Sequence, residues 1–285
     1  MRRTVLFSFV TLVVLLSQPA LQVLAADKGP SPEEVVAKSV EAFAPPDLRT
    51  PATGRQLDVK VAWRFIVGGA GNLDGTGTVL SRGDKFHFHF DFNSSSYPGE
   101  DFLYRGEGQP IVAQIVPGAR SFLGTFLYDN PVILRSGLMG GVYNSAWPLF
   151  NFEKSGAKLI PRGTRNVDKK KLNQFEYQGP KQGDTKIYLY FDPETNQHVM
   201  TEYRMSVAAG STGSIGAPVG RDAVTTVEEH FSEFHQVFGM NIPLVWTIRW
   251  NRQDGAIQQW QMTLVKQKLE VPDTAFTPTP VAAKQ

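Results

Sequence analysis

Hydrophobic positions along this chain change period several times, and each change marks a boundary. Val5 to Leu16 is almost wholly apolar, interrupted by Ser8 and Thr11, and it follows Arg2 and Arg3. From Ser31 the period is helical: Ser31 and Glu34 form a capping box, and Pro32 suits the first turn. Val36, Val40 and Phe43 then share one face, and Pro45-Pro46 stops the helix. From Leu57 the period is two. Leu57, Val59, Val61, Trp63, Phe65 and Val67 fall on one side, with Asp58, Lys60 and Arg64 on the other. A second strand runs from Thr76 to Leu80 and turns over Arg82-Gly83-Asp84. In the third, Phe86, Phe88, Phe90 and Phe92 alternate with Lys85, His87, His89 and Asp91. Shorter strands follow at 102–105 and 111–116.

Residues 119–152 break the alternation. They are apolar, aromatic and glycine-rich, and predict short helices joined by loops, with a start at Asn130-Pro131 and a break at Gly140-Gly141. Strands resume at 158–160 and 172–177, then as a hairpin over 186–191 and 198–207, and as a pair over 244–250 and 256–271. Leu244, Trp246, Ile248 and Trp250 share one face of the first strand of that pair. The stretch 208–220 reads as a Gly/Ser/Ala/Pro loop and 279–285 as a frayed tail. Val227, Phe231, Phe234 and Phe238 have helical spacing, while Thr225-Thr226-Val227 favours strand; periodicity alone leans to helix. The fold class is mainly β: a curved antiparallel sheet whose apolar face is covered by the helical segments at 31–43 and 119–152.

The N-terminal pattern reads as a signal peptide over residues 1–25, with small residues at the cleavage positions of Val23-Leu24-Ala25. An uncleaved anchor is the alternative, although the run is short for a permanent span and no comparable one follows. The expectation is a periplasmic protein with no transmembrane segment in the mature chain. Removing the leader takes two arginines from 29 basic side chains and leaves 27 against 27 acidic. That balance gives no electrostatic reason for nucleic acid or an anionic membrane as partner. The chain has no cysteine, which excludes disulfides, thiolate metal sites, cysteine nucleophiles and a cysteine-borne lipid anchor.

Candidate chemistry is sparse. Gly68-Gly69-Ala70-Gly71 and Gly75-Thr76-Gly77 precede no phosphate-binding helix and read as turns. Asn93-Ser94-Ser95 is formally a glycosylation sequon, and the Asn93–Ser96 turn lacks the elbow that activates a serine. His87, His89 and Asp91 share one strand face at a spacing seen in metal sites, but spacing supplies no further ligand. Polar alternation alone predicts them as solvated residues opposite the phenylalanines. The aromatic strands suit either an ordinary core or a hydrophobic cavity under a movable lid.

Several segments resemble the bacterial periplasmic lipoprotein-carrier superfamily, the LolA/LolB-like outer-membrane lipoprotein-sorting proteins. The run Phe231-Ser232-Glu233-Phe234 through Gly239 to Pro243 is similar to that group's aromatic-acid-aromatic segment before a strand. Leu264–Phe276 is similar to its closing strand, and Gly77–Phe86 to its strand–basic turn–strand hairpin. The resemblance implies one domain over 26–278, an unclosed barrel of roughly eleven strands, and strand over Val224–Phe238. It also implies a cavity holding acyl chains of a lipid or lipoprotein, without cofactor or metal. Its lining falls on Trp63, Phe65, Phe86, Phe88, Phe90, Leu138, Met139, Trp246, Ile248 and Trp250. Arg82 matches an arginine that bridges lid and barrel, though Gly83 stands where a proline usually follows. The resulting expectation is a non-enzymatic periplasmic carrier. The alternatives are an envelope sensor or scaffold with a filled core and protein partners, and a metal-dependent hydrolase using His87, His89 and Asp91.

Overall fold

The computed structural model describes residues 30–50, 53–116, 118–180, 183–207, 223–251 and 255–278. The expected leader, the 208–220 loop and the 279–285 tail lie outside them. The opening helix α1 (Pro32–Phe43) begins where the pattern put it: Glu34 N–H donates to Ser31 Oγ at 3.2 Å. Its apolar face buries Val35, Val36, Val40 and Phe43, and Phe43 stacks on Phe150 at 5.2 Å.

Alternation then yields β1 (Arg55–Val67), β2 (Asn72–Arg82), β3 (Lys85–Phe92), β4 (Gly99–Tyr104) and β5 (Val112–Gln114). After a helical stretch come β6 (Lys158–Val167), β7 (Lys170–Gln178), β8 (Lys186–Phe191) and β9 (His198–Val207). The series ends with β10 (Ala223–Val237), β11 (Met240–Asn251) and β12 (Ile257–Lys268). All twelve join one antiparallel sheet, in the order β5-β4-β3-β2-β1-β12-β11-β10-β9-β8-β7-β6. The first and last strands therefore pair at its centre, and two meanders run outward to the edges β5 and β6. The barrel is left unclosed.

This topology dictates what fills the concave face. The chain must pass from edge β5 to edge β6 through residues 115–157, which form α2 (Phe122–Asp129), α3 (Val132–Arg135), α4 (Phe152–Ser155) and two 3₁₀ turns. A large apolar sheet face needs cover, and this connection supplies it as a plug. Leu123, Leu127, Ile133, Leu138, Met139 and Trp147 are all buried, in one core cluster with Phe86, Phe88, Phe90 and Trp246.

Three sequence expectations change. Gly75 and Gly77 are strand residues of β2 paired with Phe92 and Phe90, so Gly75-Thr76-Gly77 is no turn. A Cβ on Gly77 would come within 2.8 Å of the Phe90 ring and 2.5 Å of His89 O, so glycine makes room for the phenylalanines. Residues 223–237 are strand, as the resemblance implied and the helical spacing did not. A spacing of four is also two strand periods, so Val227 and Phe231 face inward together. Finally, β6 runs seven residues beyond the expected 158–160.

Candidate functional site

The concave face carries most of the residues expected to line a cavity, and the plug covers them. Phe86, Phe88, Phe90, Met139 and Ile248 are fully buried, and Leu138 and Trp246 nearly so. Trp246 lies 5.9 Å from Tyr143 of the plug and 5.7 Å from Phe88, while Trp250 stacks on Phe122 at 4.7 Å. Trp63 and Phe65 are half-buried near the end of β1, where Ile66 and Val67 are exposed; Trp63 packs against the edge of the core cluster. Trp63 packs there on Phe65 and Tyr97.

Polar contacts pin the middle of the plug. Gly140, held at φ +82°, donates its N–H to Glu229 Oε1 at 2.7 Å, and Tyr203 donates its hydroxyl to Glu229 Oε2 at 2.6 Å. Burial pushes the Glu229 carboxyl up to about 7, against the pull of those hydrogen bonds. Tyr143 donates to the Pro243 carbonyl. His198 lies between the Trp147, Phe191 and Phe231 rings, and burial drives its pKa down to about 3, so it is neutral. Sequence reasoning read Gly140 only as a break and did not single out Glu229, Tyr203 or His198, because their partners lie far away in the chain.

At one side of the plug a cleft of about 1460 Å³ opens between the end of β4 and the ends of β7 to β9. Tyr104, Val132, Trp147, Tyr177 and Met205 give it an apolar wall, and Arg135, Lys154, Asp84 and Glu107 make its rim charged. None of the ten residues expected to line a cavity borders it. Trp147 links the cleft to the interior: it lines the cleft and also belongs to the core cluster.

The histidines are not solvated, which corrects the alternation reading. His87 and His89 are 2% and 6% exposed. His87 Nε2 lies 2.6 Å from Asp101 Oδ1, His89 Nδ1 3.4 Å from the same oxygen, and His89 Nε2 3.1 Å from Asp91 Oδ2. Burial raises the Asp101 carboxyl, but hydrogen bonds from both histidines prevail and hold it below its ordinary value. Among the described residues, no three His, Asp or Glu side chains are placed to hold a metal. Replacing both histidines by alanine should therefore destabilise the fold by about 3–5 kcal/mol, by stranding a buried carboxylate. Urea unfolding of the double variant measures this, and an unchanged midpoint would contradict the pairing. Arg82 donates to Val271 O at 2.9 Å and lies 3.7 Å from Asp273, so it holds the C-terminal segment instead of the plug.

With this geometry in view, comparison with known proteins gives one kind of match. The chain is similar to several solved structures. One is the LolA superfamily protein from Nitrosomonas europaea, at 14% identity over 85% of this chain and 96% of that one, with TM-score 0.45. Another is a DUF1329 family protein from Desulfovibrio piger, at 12% identity over 85% and 95%, with TM-score 0.46. A third is the Mycobacterium tuberculosis lipoprotein LppX, at 14% identity over 85% and 99%, with TM-score 0.24. No family model and no curated protein matches the chain.

Proposed function

We propose that this is a non-enzymatic lipid-binding protein of the bacterial envelope, which takes up the acyl chain of a lipid or lipoprotein at the cleft beside the plug. The observation that carries this reading is the cleft itself: an apolar-walled opening at the seam of the barrel, whose wall includes Trp147 of the aromatic core. An acyl chain entering there extends inward by displacing the plug from the concave face. Each methylene it buries contributes about 0.8 kcal/mol, and the plug's own apolar contacts are given up in exchange. The balance is close enough for the few polar pins at Gly140 and Tyr143 to set it. A second reading, a filled-core sensor or scaffold, is favoured by the complete burial of Phe86, Phe88 and Phe90.

Fatty acids brominated along the chain separate the two, because bromine quenches tryptophan only at contact. The carrier reading predicts saturable quenching that is reduced but not abolished in Trp147→Phe, because Trp246 and Trp250 face the plug that the chain displaces. Absence of quenching at every lipid concentration would leave the scaffold reading.

A further inference from the structure

The near-neutral total charge hides a local concentration of it. Between Lys158 and Lys171 the β6–β7 hairpin carries Lys158, Arg162, Arg165, Lys169, Lys170 and Lys171, against the single acid Asp168. All six basic side chains are exposed. Arg162 and Arg165 are engaged by Glu176 and Glu202, and Lys170 reaches Asp192 only at 4.0 Å. Lys158, Lys169 and Lys171 have no ion pair among the described residues.

The turn at the tip adds an independent observation. Val167 pairs with Lys170, so the loop is the two residues Asp168 and Lys169, with φ of 47° and 68°. Such a turn favours Asn-Gly or Asp-Gly, and a lysine held at positive φ is strained. The tip is also fixed in place. Val167 packs with Leu172, Tyr190 and Met200, and Asp168 Oδ2 lies 3.8 Å from His230 Nδ1. The turn thus presents Lys169 at a conformational cost that glycine would avoid, and Lys170 and Lys171 follow it directly at the start of β7.

We infer that the β6–β7 hairpin is a docking arm for an anionic phospholipid surface. An acidic peptide strand added to the β6 edge fits less well. Pro161 lacks an N–H, and the register shifts between Pro161 and Thr164, which blunts the edge against strand pairing. Side-chain charge therefore carries the contact, and it suits a plane of phosphates. This inference does not rest on acyl-chain uptake: it reads headgroup charge, whereas quenching reads chain insertion.

The test is sedimentation of the full chain with vesicles of phosphatidylglycerol and phosphatidylethanolamine in equal parts, with phosphatidylcholine vesicles as control. A variant combining Lys169→Gly, Lys170→Gln and Lys171→Gln keeps the turn and should melt no lower than the wild type. Each lysine near an anionic surface is worth about five-fold, so the variant should partition roughly a hundred-fold more weakly. Added salt should weaken the wild type in the same direction. Equal binding to both vesicle types, or a variant that binds as well as the wild type, would overturn the assignment. So would wild-type binding to poly-glutamate with none to the anionic vesicles, which would move the partner to an acidic protein.

Discussion

Replacing Phe88 by alanine should lower folding stability by about 3–5 kcal/mol, read from urea or guanidinium unfolding. Phe88 is fully buried, stacked on Phe102 at 4.3 Å and set edge-on to Trp246 at 5.7 Å, with Phe86 and Phe90 on either side. It therefore joins β3 to β4 along the sheet and to β11 across the barrel. Truncation leaves a hole among four rings belonging to strands, which cannot collapse to fill it. The plug covers this face as well, so the full loss is expected with the plug seated, in the protein without lipid. A loss below about 1 kcal/mol would mean a loosely packed concave face, contrary to the structure.

A comparable effect should come from Glu100, and it should depend on pH. Glu100 lies fully buried on β4, where it accepts the Tyr97 hydroxyl at 2.5 Å, and Tyr97 in turn accepts the Trp260 indole N–H at 2.7 Å. Burial raises its pKa from 4.5 to about 8, and hydrogen bonds from Ser121 and Tyr97 offset this only in part. The folded protein thus holds a proton that the unfolded chain releases. Stability attributable to this group is complete below about pH 4.5 and is lost as pH rises through about 8. At about 1.4 kcal/mol per pH unit the loss is on the order of 4–5 kcal/mol. Glu100→Gln keeps the acceptor for Tyr97 and removes the titration, so its advantage over the wild type should grow from about pH 5 to about pH 8 and level off above that. Neutral His198 pulls the other way below its unfolded pKa of 6.5, so the difference between the two proteins is the quantity to read. A difference independent of pH would show that Glu100 does not titrate in the fold.

The alternation of Phe86 to Phe92 and of Trp246 to Trp250 made the inward faces of β3 and β11 legible, because each packs against the core on one side only. The far half of β6 was not legible. Pro161 to Asn166 is exposed on both faces at the sheet edge, and a strand with no buried side has no period to read. The histidines were placed on the correct face but misjudged as solvated. Their partner Asp101 lies on the neighbouring strand β4, where Asp101 pairs with His89 and Leu103 with His87, a juxtaposition that alternation within β3 cannot supply. The glycine-rich connection announced short helices and breaks. That it would plug the barrel follows from its joining the two sheet edges, which depends on β1 pairing with β12 across the whole chain.

The central claim is that the plug yields to an acyl chain while the barrel stays intact. Hydrogen–deuterium exchange with and without saturating long-chain fatty acid tests it most directly. Gly140, whose N–H is held by Glu229, and the turn through Tyr143 are the amides to follow. The account predicts that fatty acid accelerates exchange over residues 137–147, while the paired amides of β3, β11 and β12 remain as protected as before. Exchange that is unchanged or slowed over 137–147 at saturating fatty acid would contradict it.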